Sequence, residues 1–401
     1  MNLAEGLTIE IEGHPTEFGY TRKFNMFIKG PRSGIDANTG ILLVVHNKGQ
    51  EAGHEFFQAL RREWADRYNV LVVGVDYLGT HSCSNPAWRL QISPYSINKL
   101  VSMMPEEIRP TDLENVEIDI QALLRSYEDS GIEKIEEGFL VFNDSYSGSE
   151  YWDFGLIQAM DIIYAYRVAL EICRQNDLFI NERRSFIYGY GEGGHIAQMC
   201  GRLAPNTFSL IADMGGPVFA SPQQMVPFEA RFFVNEKLPL YNIIAPLVFV
   251  QLYTLDKNSE FVLTQDMVQI RNLTRFIPKT NCQYVMFSHP EDVVTTQIGR
   301  DYLVERMNEA GINVVHYSLK NEGDEDDEYG VNVVKIFQDN CDQYLIPDSS
   351  EAVQRQGESD FTLQSHISLK TSNGQYVLDY SDFVPQLAYE GSIVRLRKDD
   401  V

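Results

Sequence analysis

At 401 residues, 44% of them hydrophobic, the chain can bury a large core, and its length suits about two to three domains or one large α/β domain with appendages. Fifty-seven acidic against 33 basic residues leave a formal charge of -24, which opposes phosphate backbones and anionic membranes and argues against nucleic-acid and membrane partners. The five cysteines, Cys83, Cys173, Cys200, Cys282 and Cys341, are odd in number and include no CxxC pair, the usage of reduced thiols. With no basic-then-apolar leader and no run of about 20 apolar residues, a soluble, cytoplasmic protein is expected.

In chain order, Leu7 to Ile11 and Lys23 to Ile28 read as short strands around the turn signal Gly13-His14-Pro15, an antiparallel lead-in to a sheet. The continuous apolar run Ile41 to Val45 reads as a strand covered on both faces. A helix from about Glu51 to Tyr68 and a second buried run, Val70 to Asp76, complete a strand-helix-strand order that predicts a parallel sheet. From Leu78 to about Pro110 the periodicity dissolves, which suggests a lid-like excursion. Asp112 to Tyr127 reads as helical, and Phe139 to Phe142 as a strand opening into the serine-rich loop Asn143 to Ser149. A long helix, Gly155 to Cys173, with Asp153 as its cap, leads to the strand Ser185 to Tyr188.

Phe208 to Met214 is a further buried strand, broken by Gly215-Gly216-Pro217 and followed by a second excursion, Val218 to Asn242. Pro246 to Val250, Gln283 to Phe287 and Asn313 to Leu319 read as strands. Thr264 to Arg275, Thr296 to Ala310 and Tyr329 to Tyr344 read as helices. The polar stretch 347–360 reads as a linker between a main domain, 1–346, and a small appendage, 361–401. In that appendage Asn373-Gly374 signals a hairpin, too small to fold on its own core and so expected to pack on the main domain or on a partner.

The stretch Ile187 to His195 organises the chain. A strand, a glycine-rich turn and a helix start follow one another there, and Gly189-Tyr190-Gly191-Glu192-Gly193 matches the G-x-S-x-G nucleophile elbow except that glycine stands where serine belongs. With the order of elements from Ile41 to Tyr344, about three quarters of the chain, this turn resembles the α/β-hydrolase superfamily. The resemblance implies a three-layer α/β fold with a mostly parallel central sheet, lid-like insertions near 78–110 and 218–242, and the C-terminal β appendage. It also places His46-Asn47-Lys48-Gly49 at the oxyanion loop and Asp292 at the triad acid. The segment Tyr151 to Asp161 additionally resembles a bacterial hydrolase-like family associated with flagellin or surface-glycan modification.

The departures from that pattern shape the functional expectation. Gly191 leaves the nucleophile position vacant, and the loop around Glu322, where the resemblance puts the triad histidine, holds Lys320 to Asp327 without one. Two vacancies at separate places predict a fold without its triad chemistry, one that binds a small molecule, a glycan, or a protein partner through its tail. The candidate binding residues are His46, Asn47, Lys48, Glu192, His195 and His289. The alternative is an acyl esterase or deacetylase with a different nucleophile, such as Ser145 or Ser147. A third reading is a dinucleotide-dependent enzyme, since Gly189-x-Gly191-x-x-Gly194 matches G-x-G-x-x-G, although the motif lies late in the chain for a Rossmann domain. Asp324, Asp326 and Glu328 alternate as in a calcium loop, but Tyr329 and Lys335 replace its glycine and closing glutamate. No metal and no cofactor is therefore expected.

Overall fold

The two buried runs behave as strands covered on both faces. Ile41, Leu43 and Val45 point into one hydrophobic cluster, while Leu42 and Val44 point into another, because successive side chains of a strand project to opposite sides. The computed structural model describes residues 2–15, 17, 21–80, 88–92, 125, 128–129, 131, 133, 139–143, 153–219, 230–237, 244–251, 264–289, 296–319 and 331–392. In chain order the elements begin with β1 (Leu7–Glu12), β2 (Lys23–Lys29), β3 (Gly40–Val45), α1 (Glu55–Tyr68), β4 (Val70–Val75), β5 (Trp88–Ile92) and β6 (Phe139–Asn143). They continue with α2 (Leu156–Gln175), β7 (Ser185–Tyr190), α3 (Glu192–Leu203), β8 (Leu210–Met214), β9 (Ala230–Lys237), β10 (Ile244–Gln251) and α4 (Gln265–Ile270). The last are β11 (Gln283–Ser288), α5 (Gln297–Glu309), β12 (Val314–Ser318), α6 (Val331–Leu345), α7 (Asp360–Leu363), β13 (His366–Lys370), β14 (Gly374–Asp379) and β15 (Gln386–Gly391).

By contact density the chain divides into two units. The first, Met1–Ser84, Trp152–Pro222 and Val262–Val401, holds an eight-stranded sheet of order β1-β2-β4-β3-β7-β8-β11-β12. β2 runs antiparallel to both of its neighbours, and every pair from β4 to β12 is parallel. Residues of α2, α3 and α5 fill the cluster on one face, and residues of α1 and α6 fill the other. This strand order, the helices on both faces and the turn between β7 and α3 are those of the α/β-hydrolase fold. The second unit, Asn85–Tyr151 and Gln223–Phe261, holds a sheet of order β5-β6-β10-β9. Both excursions therefore contribute a strand to one sheet, joined through the parallel pair β6 and β10. The helix expected over Asp112 to Tyr127 and the loop 144–149 lie almost wholly outside the described residues.

Two helices are shorter than the spacing suggests. Residues 51–54 form a turn, because the Ala52 N–H donates to Asp76 Oδ1 (2.8 Å) and the Ala52 carbonyl accepts from Arg61 Nη1 (2.7 Å). With that backbone committed elsewhere, the helix starts at Glu55, capped by His54 Nδ1. Helix α4 stops at Ile270, since the Asn272 side chain accepts from the N–H and the hydroxyl of Thr274 (2.9 and 2.8 Å), a local turn that competes with helix.

The C-terminal residues form a three-stranded antiparallel sheet, β13-β14-β15, whose third strand the sequence pattern does not announce. Phe361, Tyr376, Leu378 and Tyr380 join the main hydrophobic cluster, so the appendage packs on its own chain. Tyr380 donates its hydroxyl to the Leu203 carbonyl (2.9 Å). Asp360 accepts from the Asn206 N–H (2.8 Å), Asn206 Nδ2 (2.9 Å) and the Thr207 hydroxyl (2.9 Å). The preceding polar stretch is fastened at Arg355, whose N–H donates to the Arg183 carbonyl (2.7 Å).

Candidate functional site

Strand β7 ends at Tyr190, and helix α3 starts two residues later. Gly191 alone makes the turn, with φ +55° and ψ -123°, in the left-handed half of backbone space that side chains with a Cβ rarely occupy. Its N–H donates to the Met214 carbonyl (3.0 Å), and its carbonyl accepts from the Gly194 N–H (2.9 Å). Gly193 brings the helix against β3, since a Cβ there would stand 2.2 Å from the Val45 carbonyl oxygen. The elbow is thus fully formed although no nucleophile stands in it.

The space beside Gly191 is filled from the loop after β3. A Cβ on Gly191 would lie 2.3 Å from Asn47 Oδ1, and that same oxygen accepts from the Glu192 N–H at 2.9 Å. In an acting elbow, the N–H after the nucleophile is an oxyanion-hole donor. Here a neutral carboxamide already uses it. Asn47 is held in turn, its N–H donating to Gln50 Oε1 (3.0 Å).

The other sequence candidates take ordinary structural partners. His46 is buried, stacks on Tyr77 at 4.3 Å, and bonds the Asn47 carbonyl through Nδ1 (2.8 Å). Lys48 is half-buried in the following turn. The Glu192 carboxylate accepts from Gln158 Nε2 (3.1 Å), which also donates to the Leu78 carbonyl (3.0 Å). His195 is 1% exposed and bonds the Pro217 carbonyl through Nδ1 (2.6 Å). Burial, partly offset by that bond, lowers its pKa from 6.5 to about 4, so it is neutral at pH 7. His289 is half-buried just past β11, two strands over from β7 in the sheet order and so about 10 Å away across the sheet. Asp292, the loop around Glu322, and Ser145 and Ser147 lie outside the described residues; among the described candidates, the structure brings together Asn47, Gly191 and Glu192.

Sequence reasoning missed an ion pair beneath the elbow. Asp213, at the end of β8, is fully buried and accepts from Arg300 Nη1 (2.5 Å) and Nη2 (3.1 Å), the Gly216 N–H (2.7 Å) and Gln198 Nε2 (3.2 Å). Arg300 Nη2 also donates to the Gly216 carbonyl. An aspartate inside the apolar run Phe208 to Met214 is the one local sign of it, because buried carboxylates require partners. Arg300, from a helix 87 residues on, carries no such sign.

A serine and a histidine also meet at the sheet edge. Ser288 Oγ lies 2.8 Å from His316 Nε2, and His316 Nδ1 lies 3.8 Å from Asp301 Oδ1. The bonding directions decide what this group can do. Gln297 donates from Nε2 to Asp301 (2.7 Å), which turns its Oε1 to accept the Ser288 hydroxyl proton (2.9 Å). With its proton directed at Gln297, the Ser288 hydroxyl does not offer that proton to His316 Nε2 in this arrangement. Ser288 is also only 2% exposed.

Among the described residues no group of three or more His, Cys, Asp or Glu could hold a metal ion, and no helix is long and apolar enough to cross a membrane. A sequence-family profile with the description "Protein of unknown function (DUF2920)" matches residues 10–379. No curated protein matches the sequence. Three solved structures give the scale of the structural likeness. A lipase/esterase from Lactobacillus plantarum is 7% identical, with 84% of this chain and 99% of that one covered and a TM-score of 0.41. Esterase 2 of Thermogutta terrifontis, phosphonylated by sarin, is 10% identical with a TM-score of 0.38 over 79% of this chain and 89% of that one. A cold-adapted esterase from an Arctic intertidal metagenomic library is 10% identical with a TM-score of 0.41, covering 85% and 94% respectively.

Proposed function

The chain belongs to the family described as protein of unknown function (DUF2920), and on that footing we propose that it is a non-hydrolytic protein of the α/β-hydrolase fold whose strand ends serve in binding a small molecule, a glycan or a protein partner. The observation that carries this reading is the position of Asn47. Its carboxamide occupies the space a side chain at Gly191 would need and uses the Glu192 N–H that an oxyanion would need. Hydrolysis at an elbow needs both a nucleophile and free donors aimed at the developing charge. In a triad enzyme the loss of the nucleophile alone costs about 10⁶ in turnover.

The test is turnover of p-nitrophenyl acetate and p-nitrophenyl butyrate by the purified chain, with Asp292→Ala prepared identically. The reading expects equal, background rates for both proteins. A rate above background that Asp292→Ala abolishes would favour the acyl-esterase alternative instead.

A further inference from the structure

Away from the elbow, a groove of about 520 Å³ opens where α4, α5 and the β13–β14 turn meet. Its walls include Arg275, Arg306, Lys370, Asn272, Ser372 and Tyr302, and no Asp or Glu lines it. Arg275 and Phe276 precede the start of β11, and Tyr302 and Arg306 lie at the middle and in the second half of the helix that leads to the start of β12. The groove thus lies toward the N-terminal ends of the parallel strands, whereas Gly191 follows the C-terminal end of β7.

In a chain of net charge -24, Arg275 and Lys370 stand in a lining that holds no carboxylate and offer two cations to an anion. Two carboxylates of the flanking helices have partners of their own. Asp266 accepts from Asn373 Nδ2 (3.1 Å) and from the Tyr389 hydroxyl (2.5 Å), and Glu309 pairs with Arg306 (2.7 Å). Arg275 and Lys370 make no ion pair among the described residues.

Neutral donors stand beside these charges. Ser372 Oγ accepts from Gln269 Nε2 (2.6 Å), which leaves its own proton to donate, and Asn272 uses Oδ1 on Thr274, which leaves Nδ2. The wall that carries Lys370 and Ser372 is fixed in place, since the Ser372 N–H also donates to Gln269 Oε1 (3.0 Å). Preorganised donors lose little entropy on binding. Tyr302, 48% exposed, adds an aromatic surface.

We propose that this groove binds a small hydroxylated anion, either a sugar acid or a sugar phosphate, with Arg275 and Lys370 taking the charge and Asn272 and Ser372 the hydroxyls. Both sources present the same chemistry, an anionic oxygen group on a polyol body. This site is separate from the elbow, so its test does not depend on the reading of Gly191.

Isothermal titration of the full chain with glucuronate, glucose 6-phosphate and glucose tests the proposal, in wild type and in the double variant Arg275→Ala/Lys370→Ala. At least one of the two anionic probes is expected to bind, with neutral glucose showing no heat of binding, and the tighter anion separates carboxylate from phosphate as the recognised group. The double variant should weaken that binding by about tenfold or more while keeping the wild-type melting temperature, because both side chains are exposed. Absence of binding by both anions, equal binding of glucose, or anion binding unchanged in the folded double variant would each overturn it.

Discussion

Asn47 Oδ1 accepts a hydrogen bond from the Glu192 N–H at 2.9 Å, and in doing so fills the place where the side chain of an elbow nucleophile would begin. The glycine at 191 and the asparagine at 47 are therefore one feature. Restoring a serine alone leaves no room for it and no free oxyanion donor.

Gly191→Ser is expected to gain no esterase activity and to lose about 1–3 kcal/mol of stability, the range for a non-glycine residue held in a sparsely populated backbone region. Placing the same change in an Asn47→Gly background should cost less, because the displaced carboxamide is gone. Urea denaturation of the four proteins gives the coupling directly. Equal losses in both backgrounds would show that Asn47 and position 191 do not compete for the space.

The Asp213 and Arg300 pair sits under the same turn, with both side chains fully buried. Arg300→Met strands a carboxylate in the core, and breaking a buried pair from one side typically costs about 3–5 kcal/mol. Arg300→Met combined with Asp213→Leu should lose less than the sum of the two single changes. The midpoint of chemical denaturation reads this, and strict additivity would count against the pair as a unit.

His195 gives the fold a pH dependence of known sign. Its folded pKa, about 4, lies below the unfolded value of 6.5, so the unfolded chain takes up a proton that the folded chain refuses. The contribution is complete above about pH 6.5 and is lost as pH falls toward 4, amounting to about 3 kcal/mol across that window. His195→Gln, which keeps an N–H for the Pro217 carbonyl, should flatten this part of the stability curve. Parallel curves for wild type and variant between pH 7 and 4 would refute the assignment.

The C-terminal sheet is held by specific bonds as well as apolar contact. Asp360→Ala leaves the Asn206 and Thr207 donors without their acceptor and is expected to cost about 2–4 kcal/mol. Tyr380→Phe, which loses only the bond to the Leu203 carbonyl, should cost about 1 kcal/mol. Differential scanning calorimetry should show a single lowered transition for each. An early, separate transition would mean that the appendage unfolds independently.

The fold was legible where local pattern and burial coincide. Ile41 to Val45 and Val70 to Val75 are continuous apolar runs because both faces are covered, and Gly189 to Gly194 announces a tight strand-to-helix turn. The Asn373-Gly374 hairpin was equally plain. The second sheet was not legible, since its central pair joins Phe139–Asn143 to Ile244–Gln251 across about a hundred residues and no periodicity encodes that pairing. At the site, the vacancy at Gly191 could be read directly. That Asn47 fills it could not, because the contact depends on how the loop after β3 meets α3. Arg300 stayed hidden for the same reason, as one of two arginines on the helix after β11, with its partner Asp213 on β8.

The central claim is that the elbow carries no reactive nucleophile and that no other serine replaces it. Intact mass measurement after incubation with excess fluorophosphonate tests this most directly, because activated serines are modified stoichiometrically while ordinary ones are not. The account predicts an unmodified chain of 45.8 kDa. A single adduct that maps to one serine, such as Ser145 or Ser147, and disappears when that residue is changed to alanine would contradict it.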